Sequence, residues 1–341
     1  MLRMVFISRE EVYSMNNNDF RGVNADYLEQ YVQLKRSLGY QYDAQRAVLL
    51  IFDRFTIENK IGIIGLNRDL AFEWSQKRPN ESESFRYNRI RYVSGFSSFL
   101  NDLGIKSFIP RFRKPPKTFV PYIFSHEEMI RFFKACDSLV LKQTNWTSSI
   151  ISVPAIFRLL YGTGLRISEV VALNDKDVNL TESYLIVRDS KNGQERMVPM
   201  MQSLVNVLNE YVLHRNRLPY GKKDDHFFVT LNGSRCISGA IRNMFSRLLE
   251  NASIPYLGRG KGPRLHDIRH TFAVHSLVEM AESGIDLYTS LPILSTYLGH
   301  QLLESTNDYV RLTSEMYPGL LKDVDMITLN VFPNIINHEN E

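Results

Sequence analysis

The amino-acid sequence predicts a mainly α protein in two parts: a small helical domain, then a mixed α/β domain carrying a small antiparallel sheet. Three observations lead there. Segments with helical apolar spacing succeed one another up to Gly104, and no strand alternation precedes about residue 180. A run of prolines and cations over 110–121 then interrupts the chain. Beyond it, "SYLIVRDSKNGQERMVPM" alternates on both sides of Lys191-Asn192-Gly193-Gln194, the pattern of a hairpin. At 341 residues the chain has room for two domains with sizeable cores.

In the first part, "NADYLEQYVQLKRS" brings Tyr27, Leu28, Tyr31, Val32 and Leu34 near helical spacing. Further helical runs are "AQRAVLLIFDRFTIE", "RDLAFEWSQK" and "ESFRYNRIRYVSGFSSFLNDLG", punctuated by Gly39, Gly62 and Gly104. Residues 24–109 therefore read as one helical domain, preceded by an extension over 1–23. The stretch 110–121 holds Pro110, Pro115, Pro116 and Pro121 among Arg111, Arg113, Lys114 and Lys117. Proline stiffens it and its cations suit phosphates, although a plain exposed linker fits as well. Ser125 and Glu128 form a capping box that opens a new helix, and with it a second domain over 122–315. There "SVPAIFRLLYGTGL" and "SEVVAL" read as helices broken at Gly162–Gly164. The hairpin follows, then the amphipathic runs "MQSLVNVLNEYVLHRNRL", "AIRNMFSRLLENA" and "LHDIRHTFAVHSLVEMAESG". Residues 316–341 remain as a tail.

Composition narrows the classes. The apolar fraction is 44% and the charged fraction 23%, ordinary for a globular chain. Cys136 and Cys236 are far apart, which argues against a disulfide framework or a cysteine zinc site and fits a reducing cytoplasm. No apolar run reaches membrane-spanning length, and the N-terminus lacks the form of a secretion signal. The net charge of +4 is unevenly spread: residues 1–120 carry 19 Lys and Arg against 13 Asp and Glu, the remainder 22 against 24. A basic first half points to a polyanion such as nucleic acid, though a solvated basic face would look the same.

Four places hold polar residues whose setting asks for a reason. Arg166 starts a helix just after Gly164, where backbone N–H groups also favour an anion; alone it reads first as a surface or capping residue. Lys191 sits at the hairpin tip, where a charge often serves solubility. His266 and Arg269 lie three apart on one helix face, with His270 beside them. His300 follows Gly299, and Tyr309 stands in a polar stretch ill suited to a core aromatic. Two histidines on separate elements raise the question of a metal, but there is no HExxH and no carboxylate at ligand spacing, so none is expected. One reaction uses them all. Two arginines can grip the non-bridging oxygens of a phosphodiester and stabilise the charge that grows on a phosphorane. A phenol can attack once a base or nearby cations favour phenolate, and a lysine can protonate the departing sugar oxygen. Neither metal, cofactor nor nucleotide triphosphate is needed, and there is no P-loop.

In their order, "TGLRISEV", "KNGQERMVP", "LHDIRHTFA", "LGH" and "STNDYVRL" resemble the active-site strings of the tyrosine recombinases, also called phage-type integrases. The resemblance is strong over 120–315 and looser over 24–105. It implies a SAM-like core-binding domain followed by a catalytic domain of the DNA breaking-rejoining fold, closing on double-stranded DNA at specific sites. It further implies that Tyr309 attacks a phosphodiester to give a 3′-phosphotyrosyl bond and a free 5′-hydroxyl. Arg166 and Arg269 would bind the scissile phosphate, Lys191 would protonate the leaving oxygen, and His300 would hydrogen-bond the phosphate. His266 would assist proton transfer at the tyrosine, with Glu169 and His270 in support. Arg86, Arg89 and Arg91 of the fourth helical run join Arg111, Arg113, Lys114 and Lys117 as the cations expected to meet DNA. Four protomers on two sites are the family's usual assembly, accessory recombinases are a further class of partner, and the tail would dock in trans or pack on its own domain. Two departures stand out: no glycine precedes Lys191, and Arg311 stands where relatives often have histidine. The short N-terminal extension favours a transposon-borne or simple-site recombinase over one with a separate arm-binding domain. A Xer-like resolvase, a type IB topoisomerase-like enzyme and a silent DNA-binding relative are the alternatives.

Overall fold

The computed structural model describes residues 19–116, 120–141, 145–188, 195–219, 221, 223–256, 262–299, 309 and 312–313. The chain divides into two compact units between Phe119 and Val120, inside the proline-rich stretch.

The first unit is helical: α1 (Ala25–Ser37), α2 (Asp43–Glu58), α3 (Arg68–Ser75) and α4 (Glu83–Asp102). Asn67 and Ser82 cap α3 and α4 by accepting the N–H groups of Leu70 and Phe85. Leu28, Tyr31 and Val32 of α1 meet Leu49 and Phe52 of α2, Trp74 of α3, and Val93, Phe96 and Leu100 of α4 in one core. Residues 20–22, read from sequence as extension, belong to this unit. Phe20 is buried, and the carboxylate of buried Asp53 accepts the N–H groups of Arg21 (2.7 Å) and Gly22 (3.0 Å).

The structure corrects one expected DNA contact. Arg89 points into this core, with its side chain wholly buried. Its fork grips Glu81 (2.8 and 3.0 Å), and its remaining N–H groups donate to the carbonyls of Gln76 (3.0 Å) and Trp74. A guanidinium so enclosed is committed to the end of α3 and has none left for DNA. Arg86 is half-buried, donating to the Ser75 carbonyl (2.9 Å) with its guanidinium over the Phe112 ring. Arg91, Arg111, Arg113 and Lys114 are exposed; Lys117 lies outside the described residues. The start of the proline-rich stretch is not a free linker, because Ser94 donates to the Pro110 carbonyl.

The second unit opens with α5 (His126–Asp137) behind the expected capping box: Glu128 N–H donates to Ser125 Oγ (3.1 Å) and Ser125 N–H to the Glu128 carboxylate (2.9 Å). There follow α6 (Val153–Thr163), the short α7 (Ile167–Val170), a 3₁₀ turn (Asp175–Asp177), β1 (Val178–Asn179), β2 (Tyr184–Val187) and β3 (Arg196–Pro199). The strands form an antiparallel sheet in the order β1-β2-β3, pairing Leu185 with Val178 and Val198. Leu185, Val187 and Val198 face inward, as the alternation predicts; β1 is too short to have been seen by pattern. Residues 189–194, and with them Lys191, lie outside the described residues. Then come α8 (Gln202–Asn216), α9 (Ser238–Asn251), α10 (Asp267–Glu282) and α11 (Leu287–Leu298).

Helix α6 is apolar on nearly every side, and it is the pillar of this unit. Ile156, Phe157, Leu159 and Leu160 are buried against Phe132 of α5, Leu208 of α8 and Phe245 of α9. A second cluster packs α10 on α11 through Val274, Leu277, Leu294 and Leu298, and takes in Tyr309 and Leu312. Among the described residues no helix is long and apolar enough to cross a membrane.

Candidate active site

Helix α6 ends at Gly164, in left-handed conformation with φ +60. A side chain there would be strained, and its Cβ would lie 2.3 Å from the Phe272 ring. The reversal sets Arg166 at the entry to α7. Arg166 donates from Nη1 to Glu169 Oε1 (2.8 Å) and from its N–H to Oε2 (2.9 Å), so the side chain is aimed by the turn it starts. Glu169 is buried, and Arg196 of β3 grips the same carboxylate with Nη1 (3.3 Å) and Nη2 (3.0 Å). Burial works against charge on Glu169, yet the bonds from Arg196 and Arg166 prevail and hold its carboxyl below the usual range.

Arg269 rises from the first turn of α10 and is 2% exposed. Its Nη1 donates to the Gly164 carbonyl (2.7 Å) and its Nη2 to the Leu298 carbonyl (2.8 Å), which joins the ends of α6 and α11. Burial, then the nearby Arg166 cation, lowers its pKa to about 10, so it stays charged at neutral pH. His266 stands one residue before α10. Its imidazole is pushed down to about 4 by loss of solvent and by Arg269, Arg166 and Arg264. At neutral pH the ring is uncharged and can accept a proton.

His270, one turn on, meets the His266 ring edge-on at 4.9 Å, and its Nδ1 shares a hydrogen bond with Tyr309 Oη (3.1 Å). Tyr309 is 3% exposed, packed among the α10 and α11 leucines. The structure thus brings Arg166, Glu169, His266, Arg269, His270 and Tyr309 together in the second unit. His300 lies outside the described residues, as Lys191 does. Two features escaped the sequence: Arg196, and the contact of Tyr309 with His270. Arg196 lies inside "KNGQERMVP", but its bond to Glu169 spans 27 residues and leaves no local pattern. Among the described side chains two guanidinium groups bond the Glu169 carboxylate and that of Arg269 lies within its electrostatic reach, an excess of cation suited to a phosphate. Among the described residues no group of three or more His, Cys, Asp or Glu gathers as metal ligands would.

The model of the phage integrase family matches residues 123–316, more than half of the chain and all of this cluster. The chain belongs to the phage integrase family. Among its relatives, an integrase/recombinase of Sinorhizobium fredii, y4rB, is 30% identical over 304 residues, spanning 87% of this chain and 96% of that protein. Tyrosine recombinase XerA of Pyrococcus horikoshii is 26% identical over 295 residues, 86% of this chain and 91% of the relative. Of solved structures, the Tn1549 transposon integrase in complex with transposon right end DNA matches with a TM-score of 0.61 at 18% identity, over 83% of this chain and 94% of that one. A lambda integrase dimer bound to a core site gives 0.59 at 14% identity, again over 83% and 94%. The integrase fold is therefore this chain's fold, mainly α with a small antiparallel sheet, and the enzyme is a tyrosine-type site-specific recombinase.

Proposed function

We propose that this integrase cuts and rejoins DNA at specific sites through a covalent bond to Tyr309. The contact of the Tyr309 hydroxyl with His270, on the helix that also carries Arg269, is the observation that most supports it. In the reaction Tyr309 Oη attacks the phosphorus, its proton passing to a histidine of the pair His266–His270. The P–O5′ bond breaks, leaving a 3′-phosphotyrosine, and the 5′-oxygen leaves as a hydroxyl after taking a proton from Lys191. Arg166 and Arg269 hold the non-bridging oxygens as negative charge grows there. Lys191 and His300 enter this scheme through their family motifs alone. A 5′-hydroxyl from a second duplex reverses the step and exchanges strands without metal or ATP. Because Tyr309 is 3% exposed, its ring must leave part of its packing to reach a phosphate.

Exposed Arg91, Arg111, Arg113 and Lys114 of the first unit are assigned to the DNA backbone, with Lys117 beside them in sequence. We assign the reaction to integration, excision or transposition of a mobile element in the cytoplasm, with four protomers on two sites and the tail docking in trans. Similarity to XerA supports a second reading, resolution of chromosomes or plasmids, alone or with an accessory recombinase. A nicked duplex of a candidate site from DNA flanking the gene tests the chemistry. The wild type is expected to yield a denaturation-resistant protein–DNA adduct in the presence of chelator, and Tyr309→Phe none. Adducts that persist in the Phe variant would refute the nucleophile. Two sites in direct repeat on one plasmid then separate the biological readings: resolution without a mobile-element end as substrate favours the second.

A further inference from the structure

Arg196 has no part in the scheme above, yet three elements meet at its guanidinium. It is the first residue of β3, and its side chain is 12% exposed. Both Nη groups engage the two oxygens of Glu169, the face-to-face geometry that only arginine provides. Its Nε donates to the Tyr297 carbonyl (3.1 Å) near the end of α11, and the Tyr297 hydroxyl donates back to Pro199 at the other end of the strand (3.2 Å). Gly299 makes room for it: with φ +67, a Cβ there would stand 3.0 Å from Nη1 and 3.1 Å from Cζ. Arg269 holds the next carbonyl along, that of Leu298. Two arginines thus grip successive carbonyls at the end of α11, and one of them also holds the carboxylate that aims Arg166.

We propose that Arg196 is a positioning residue of the phosphate site: it fixes Glu169, which aims Arg166, and keeps the end of α11 in register with both. This rests on the phosphoryl-transfer reading above. Removing Arg196 leaves Glu169 held by Arg166 alone, so Arg166 gains freedom to turn with its partner. Small errors of aim are costly when a donor must meet a non-bridging oxygen only in the transition state.

The test uses the full-length protein on nicked duplexes, with Arg196→Gln, Arg166→Gln and the double variant under single-turnover conditions. One duplex carries the ordinary scissile phosphodiester; the other carries a methylphosphonate there, which lacks the anionic charge that Arg166 meets. We expect Arg196→Gln to slow adduct formation roughly 100-fold on the phosphodiester, with site binding unchanged. The double variant should be no more than about 3-fold slower than Arg166→Gln alone. On the methylphosphonate the deficit of Arg196→Gln should shrink several-fold, which a general loosening of the fold would not produce. Multiplying effects in the double variant, or equal losses on both duplexes, would overturn the assignment. If Arg196→Gln fails to fold, Arg196→Lys, which keeps the charge but not the fork, goes through the same cycle. A wild type that binds its site but forms no adduct on either duplex would overturn the reading of a covalent bond to Tyr309 and this one with it. Cleavage by the wild type with a failed cycle removes the role of Arg196 alone.

Discussion

Arg89 in the helical unit and Arg269 in the catalytic unit are both buried arginines that donate to carbonyls at helix ends, and they do different work. Arg89 lies against Glu81 and under the Trp74 ring at 4.7 Å, with the carboxylate matching its charge within the core. Arg269 donates to the Gly164 and Leu298 carbonyls, and burial, followed by the like charge of neighbouring Arg166, lowers its pKa. Carbonyls satisfy N–H groups without cancelling a charge. The difference teaches how to read a buried arginine. A carboxylate across the fork marks a structural pin, whereas neutral acceptors beside a second cation mark a site that expects an anion.

Substitutions can break this comparison. The largest effect is expected at Arg89→Ala, which takes from the buried Glu81 carboxylate the guanidinium bonded to it and should cost about 3–5 kcal/mol of stability. Urea melting measures it; a variant that melts normally but loses DNA would return Arg89 to the list of DNA contacts. Arg269→Ala should lower the rate of adduct formation by about 10²–10³-fold and also lower the melting temperature, because two helix ends lose their donor. Unchanged melting would show that the carbonyl bonds contribute little. Gly164→Ala meets both a positive φ and the Phe272 ring, and about 1–3 kcal/mol of destabilisation is expected. If it melts like wild type, Phe272 can move aside. The last effect is with pH. His275 is pushed down to about 4 by burial and by the His126 ring stacked 4.2 Å away, so the unfolded chain takes up this proton first on acidification. Stability should be full well above pH 6.5 and fall by up to about 3 kcal/mol towards pH 4. A His275→Phe variant whose stability falls just as steeply over that window would place the titration elsewhere, His266 being the next candidate with the same sign.

Local signals carried much of this architecture. Ser125 and Glu128 announced α5, Gly164 closed α6, and alternation around Lys191 located the strands β2 and β3. Composition alone groups Arg89 with Arg86 and Arg91, but helical periodicity separates them. The spacing of Arg89 to Val93, Phe96 and Leu100 puts it on the buried stripe of α4, while Arg91 falls on the other side. The catalytic candidates were visible as motifs, but their mutual aim was not. Glu169 with Arg196, and His270 with Tyr309, are contacts between distant segments that no periodicity encodes. Roles in proton transfer therefore could not be apportioned between His266 and His270 from spacing.

The bonds of Arg269 have one further consequence. The C-terminal ends of α6 and α11 each gather the negative pole of a helix dipole, and the two poles converge on one guanidinium. Left to themselves those poles would repel each other; with the cation between them they form a fixed frame. The work of assembling that frame is done when the protein folds, so a phosphate arriving at Arg269 meets an oriented field and little has to reorganise around it.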